Sequence, residues 1–198
     1  MEVKIRYYCL SDEENWLDCH KNSYYESFFF DELLKIKPRY ETPSIELVAL
    51  YNDKIVGILD IEIEEESGQL CFKNGKKSGI ISVIGVKPQY RRKMVATKLL
   101  NFSINLLRDQ YSIFRLEIWI RNDNTVLSWL NKNGFTEFDR YYQMDFTSDF
   151  FEKFDINLPF VVNPILLRVN ADTEAFSNLI EYHSPEKTER IILFEKFF

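Results

Sequence analysis

At 198 residues the chain has the length of one domain, or of one domain with a substantial extension. Its 17 Phe and 11 Tyr are ample for a full core, and a net charge of -6 argues against general nucleic-acid affinity. No apolar run reaches membrane-spanning length, and the opening MEVKIRYYCL turns polar too soon for a secretion leader, so a cytoplasmic protein is expected.

In chain order, Val3 to Tyr8 reads as a first strand. Ser11 and Glu14 then stand at capping-box spacing for a helix. A second helix is expected around Phe28 to Lys35, stopped before Pro38. SIELVALYNDKIVGILDIEIEEE reads as a hairpin turning at Asn52-Asp53-Lys54. KNGKKSG, from Lys73 to Gly79, is a further turn whose three lysines are most simply solvated. The β-branched run GIISVIGV, Gly79 to Val86, is a strand. After Pro88 come Arg91, Arg92 and Lys93. A helix follows, with Val95, Leu99, Phe102 and Leu106 at helical spacing beside Leu100, Ser103 and Leu107.

SIFRLEIWIR, Ser112 to Arg121, is the next strand. Strand–helix–strand implies a parallel pair joined by a right-handed crossover. A short helix from Thr125 to Asn133 buries Val126, Trp129 and Leu130 and ends at Gly134, where a C-cap glycine belongs. FTEFDRYYQMDF returns as strand. Beyond Thr147, NPILLRVN reads as strand, DTEAFSNLIEYH as helix and ERIILFEKFF as strand. This tail is too apolar to stay solvated, and packing on the same domain is expected.

The basic cluster is odd electrostatically. A helix N-terminus carries partial positive charge and favours acids in its first turn, yet here stand three cations and no acid. Each misplaced charge costs about 0.3–1 kcal/mol unless an anion binds there. Free N–H groups with basic side chains form a phosphate site; a solvated cluster without ligand is the plainer alternative.

The rest of the chemistry-bearing inventory is sparse. Cys9, Cys19 and Cys71 are odd in number and widely spaced, as in reduced thiols. His20 and His183 show no metal-ligand spacing, and no metal is expected. The sequon at Asn101 lies within an expected helix and is discounted. Asp60, Glu62 and Glu64 alternate on one strand and so share a face. They attract a cationic substrate, supply a base, or simply form a solvated face.

Taken together, this order of elements, with the basic turn after the fourth strand, resembles the GNAT superfamily of acyl-CoA-dependent N-acyltransferases. The family signature, Arg or Gln, two residues, Gly, one residue, then Gly or Ala, corresponds to Arg91-Arg92-Lys93-Met94-Val95-Ala96, preceded by GVKP at Gly85 to Pro88. RNDNTVLSWLNKNGF, Arg121 to Phe135, resembles the family's Asn…Gly-Phe block. The resemblance covers most of Val3 to Phe146 and not the tail, so residues 1–146 are expected as the acyltransferase domain and 147–198 as a C-terminal extension.

The resemblance implies an α+β fold: a mixed, mostly antiparallel sheet with a central parallel pair, flanked by helices, plus a β-α-β-like extension. It implies acetyl-CoA as cosubstrate and direct attack on the thioester by a primary amine of a small molecule or peptide. N–H groups from Arg92 to Thr97, in the basic turn begun by Arg91 and continued by Lys93, Met94, Val95 and Ala96, would hold the pyrophosphate. The backbone of Ile84 and Val86 would pair with the pantetheine arm. Asn124 falls near the family's Asn position; a simple N-cap is its other reading. Glu117 matches a catalytic Glu of similar enzymes, the alternative being an ion pair with Arg115 on the same strand face.

Two departures stand out: Met94 replaces the usual Gly, and Leu130 replaces the Tyr that serves as general acid. Methionine is expected to keep helical φ/ψ and still donate its N–H. The rival reading is a degenerate domain that binds acyl-CoA as a sensor or interaction module. Neither a nucleic acid nor a membrane is expected as partner, and a homodimer through Phe150 to Leu167 is left open.

Overall fold

A computed structural model describes residues 1–25, 27, 33–72, 75–146, 165–169 and 188–198. Their strands form one eight-stranded sheet in the order β1-β2-β3-β4-β5-β8-β6-β7. The strands are β1 (Lys4–Tyr7), β2 (Ser44–Tyr51), β3 (Lys54–Ile63), β4 (Gly79–Val86), β5 (Arg115–Arg121), β6 (Thr136–Phe146), β7 (Ile165–Val169) and β8 (Thr188–Phe197). Three helices accompany them: α1 (Glu13–Tyr24), α2 (Val95–Tyr111) and α3 (Asn124–Lys132). The sheet is mixed, its β4–β5 pair parallel and its other pairs antiparallel.

The two faces carry different helices. Leu59, Ile61 and Ile63 of β3 join Val95, Leu99, Leu100, Ile104 and Leu107 of α2 in the main core. At about 1.5–3 kcal/mol for each fully buried side chain, this stripe is what holds α2 to the sheet. Val48, Ile58 and Val83 point the other way and pack on Trp16 and Cys19 of α1. Two glycines permit close approach. A Cβ on Gly57 would lie 2.7 Å from Val95 Cγ1, and one on Gly85 would lie 2.9 Å from Ser23 Cβ, so α2 begins and α1 ends hard against the sheet.

Local chemistry accounts for most boundaries. Asn52 and Asp53 take left-handed φ of 48° and 59°, the two-residue hairpin turn that leaves Tyr51 paired with Lys54. Gly134, at φ +75°, follows the C-cap of α3. The start of α1 departs from expectation: Asp12 belongs to a short 3-10 turn ahead of the helix. Its carboxylate accepts the Cys9 N–H at 3.0 Å and pairs with Arg6 at 2.5 Å, so the capping box runs from Cys9 to Asp12 instead of Ser11 to Glu14. The expected helix at Phe28 to Lys35 lies largely outside the described residues, as does the tail helix. The last strand, β8, pairs with β5 on one side and β6 on the other, so the chain's C-terminal strand lies inside the sheet.

Candidate active site

Two neighbouring parallel strands that part company create a cleft. β4 and β5 pair only at Gly79↔Leu116 and Ile80↔Glu117, although β4 continues to Val86 and β5 to Arg121. The other edge of β4 stays paired with β3, from Ile63↔Gly79 to Gly57↔Val86. Register slips once: Ile61 faces Ile81 and Asp60 faces Val83, so Ser82 is the bulged residue. Ile84 and Val86, the expected pantetheine partners, therefore stand on the stretch of β4 that has no β5 neighbour.

At the upper end of this cleft the basic turn enters α2. Among the described residues the Val95, Ala96 and Thr97 N–H groups find no backbone acceptor, the first helical bond being Lys98 N–H to Met94 O at 2.9 Å. No side chain caps the helix. Arg92 and Met94 adopt left-handed φ of 59° and 64°. This corrects the helical conformation expected for Met94. The N-cap position turns through the left-handed region that glycine adopts freely, and methionine carries a cost of about 1–2 kcal/mol there. A left-handed residue followed by a right-handed one turns successive N–H groups toward one point, the geometry of an anion nest.

The three cations differ in what they do. Arg91 is committed: its Nε donates to Val86 O at 3.2 Å and its Nη2 to Ser23 O at 2.8 Å, tying the turn to β4 and to the end of α1. Lys93 Nζ donates to Gln89 O and lies 5.4 Å from the Tyr90 ring centroid. The exposed Arg92 guanidinium makes no hydrogen bond or ion pair among the described residues. Arg92, Lys93, Met94 and Lys98 line an open groove of about 680 Å³ with Met1, Tyr51 and Tyr90. Thr97 accepts a hydrogen bond from Trp129 Nε1 at 3.1 Å, which joins α2 to α3. Sequence reasoning placed Trp129 on the buried stripe of α3 and did not foresee this bond.

Asn124 is the first residue of α3 and is exposed; the N-cap is Asp123, whose Oδ1 accepts from the Thr125 and Val126 N–H groups at 2.7 and 3.2 Å. The capping role read onto Asn124 thus falls one residue earlier, where the backbone is still extended. Leu130 is fully buried in the main core.

The lower end is closed by a charge network. Glu117 is fully buried and ion-paired with Arg115, and it accepts the Phe72 N–H at 2.8 Å. Arg115 also donates to Glu195 at 2.9 Å and to Ser78 Oγ at 2.9 Å. Glu64, buried next to it, gathers the N–H groups of Gly68, Leu70, Cys71 and Ser78 at 2.8–3.2 Å. On the α1 side Lys37 Nζ meets Glu46 at 2.6 Å and Asp60 at 2.8 Å, within 4.8–5.2 Å of the Tyr8, Trp16 and Tyr40 ring centroids. Two acids share that ammonium. Burial opposes its charge, yet the carboxylates hold it above its ordinary range, while Asp60, the deeper acid, is lifted by burial to about 6. Among the described residues no cluster of three or more His, Cys, Asp or Glu is arranged to hold a metal, and all three cysteines are free. No helix among them is long and apolar enough to cross a membrane.

Residues 8–135 match the Acetyltransferase (GNAT) family. No curated protein matches the chain in sequence. Among solved structures the fold is similar to a GNAT-family acetyltransferase from Streptococcus pneumoniae, with TM-score 0.60 and 14% identity over 100% of both chains. It is similar also to the ribosomal-protein-S18-alanine N-acetyltransferase of Escherichia coli, with TM-score 0.59 and 13% identity over 98% of this chain and 92% of that one. A third, the PaiA N-acetyltransferase of Thermoplasma acidophilum in complex with coenzyme A, has TM-score 0.56 and 14% identity over 70% of this chain and 92% of that one.

Proposed function

The chain belongs to the GNAT acetyltransferase family, and from that premise we propose that it transfers an acetyl group from acetyl-CoA to a primary amine of a small molecule or peptide. The observation that carries this reading is the pairing of an opened β4–β5 edge with a helix start whose N–H groups, like the neighbouring Arg92 guanidinium, have no partner among the described residues. Diphosphate oxygens would take the Val95, Ala96 and Thr97 N–H groups, with Arg92 and Lys93 supplying charge-assisted bonds. The pantetheine amides would pair along Ile84 and Val86, on the stretch of β4 that β5 leaves unpaired. The Val86 carbonyl already accepts from Arg91, so Ile84 carries more of that pairing.

In this reading positioning contributes much of the rate. An amine held against a thioester gains from prepaid orientation, and a thiol of ordinary pKa leaves without obligatory protonation. That suits a chain with Leu130 where a tyrosine acid would stand. Glu117, enclosed by Arg115 and Phe72, serves as a positioning residue of the cleft floor. We place the protein in the cytoplasm, take residues 1–146 as the acyltransferase domain and 147–198 as its extension, and hold a homodimer as a further possibility for that extension.

Leu130 and Met94 favour a second reading, an acyl-CoA sensor that binds without turnover. Incubation with acetyl-CoA and a panel of amines, followed as release of free thiol, separates the two. Amine-dependent release supports the enzyme; binding with no release for any amine supports the sensor.

A further inference from the structure

The geometry points to an acceptor subsite for a primary ammonium on the α1 face of the sheet, with Glu62 as the catalytic residue that takes its proton. This rests on the acetyl-transfer reading above. Coenzyme would enter from the α2 side, since the turn that starts α2 lies there. The opposite face is then left to the acceptor. Leu59, Ile61 and Ile63 point to α2, so Asp60, Glu62 and Glu64 project to the other face. Register sets Glu62 opposite Ile80, and Ile80 opposite Glu117. Glu62, Ile80 and Glu117 thus form one row across three strands, at the last paired position before β4 and β5 part.

Around Glu62 on this face stand Glu46, Asp60, Glu64, Glu117 and Glu195, and all of these are committed, Glu195 through its ion pair with Arg115. Glu46 and Asp60 share Lys37, and Asp60 also accepts from Tyr40 Oη at 2.9 Å. Glu64 accepts four backbone N–H groups, and Glu117 pairs with Arg115. Glu62 differs. It is half-buried, and among the described residues it has no cation partner and its one hydrogen bond comes from Ser82 Oγ at 2.6 Å. Ser82 is the exposed, bulged residue at the open edge of β4, so this bond holds the Glu62 carboxylate toward the apex of the cleft. A neighbouring strand lies about 4.8 Å away, within reach of a glutamate side chain and one amine.

An alkylammonium near pKa 10.4 is only about one part in a thousand neutral near pH 7.4. Glu62 removes one proton from it. The amine nitrogen then forms its bond to the thioester carbon, and the C–S bond breaks as the tetrahedral intermediate collapses. The second nitrogen proton goes to the departing thiolate, and Glu62 releases its own to solvent. Ser82 is a positioning residue for the carboxylate.

The test compares the wild type with Glu62→Gln on three probes, 1,4-diaminobutane, lysine amide and an alanine-initiated peptide, with 2,2,2-trifluoroethylamine as an amine already neutral at pH 7.5. The expected result is a kcat/KM about 100-fold lower for the charged probes in the variant, narrowing to about fivefold or less for the neutral amine, with Glu62→Asp partly restoring the rate. Calorimetry shows unchanged acetyl-CoA affinity and a thermal melt shows an intact fold. Equal loss on charged and neutral amines, or no loss, overturns the role of Glu62. Binding of acetyl-CoA without acetylation of any charged probe overturns the acceptor class. Failure of the wild type to bind acetyl-CoA removes the proposed function itself, and calorimetry reads that outcome separately.

Discussion

The two ends of the β4–β5 cleft treat charge in opposite ways. At the α2 end, cations crowd a helix start that should repel them, and among the described residues Arg92 has no partner and three N–H groups find no backbone acceptor. At the floor, Arg115, Glu117, Glu64 and Glu195 are buried and bonded to one another or to backbone. Both ends are rich in charged residues. What differs is compensation: the floor satisfies its charges within the chain, and the turn leaves its own unsatisfied, as a ligand site does.

The floor should break first and hardest. Arg115→Ala strips the partner from buried Glu117 and Glu195, and a loss of about 3–5 kcal/mol is expected, measured as a lowered denaturant midpoint with m unchanged. At the other end Arg91→Ala removes two charge-assisted bonds to carbonyls and should cost about 2 kcal/mol. It should also disturb the turn's conformation. A midpoint that does not move would mean that the clamp on Val86 and Ser23 contributes nothing.

A third prediction concerns pH. His20 is buried between Trp16 and Tyr24, at ring-centroid distances of 5.3 and 4.1 Å, and burial lowers its pKa from 6.5 to about 4. The unfolded chain therefore takes up a proton below pH 6.5 that the folded chain refuses. This contribution is complete above pH 6.5 and declines toward pH 4 by at most about 1.4 kcal/mol per pH unit. His20→Phe should flatten the decline in melts recorded between those values; an unchanged slope would contradict it. The smallest effect is at Met94. Met94→Gly relieves a left-handed methionine and should stabilise the fold by about 1 kcal/mol, offset in part by the freedom glycine has when unfolded.

The sheet was partly legible in the sequence. β4 is β-branched and bounded by Gly79 and Pro88, so periodicity and punctuation locate it without tertiary help. The place of β8 was not legible, because strand order is a property of pairing and ERIILFEKFF carries no mark of lying between β5 and β6. The basic turn was conspicuous through its clash with helix electrostatics. Its division of labour was hidden, since Arg91 binds a carbonyl 68 residues away at Ser23. The carboxylates teach the same lesson. Alternation set Asp60, Glu62 and Glu64 on one face, but which one stays open depends on Lys37 in a distant loop and on backbone donors from residues 68–78. Asp123 and Asn124 differ by one position, and only the extended backbone at Asp123 decides which of them caps α3.

The central claim is that the turn from Arg91 to Thr97 holds the phosphates of coenzyme A. Its most direct test is calorimetric titration of the wild type and of an Arg92→Ala/Lys93→Ala double variant with coenzyme A and with pantetheine. The account predicts micromolar coenzyme A binding, weakened by about 100-fold in the variant, and a weak pantetheine affinity that is the same in both proteins. Equal weakening for both ligands, or none for either, would contradict it.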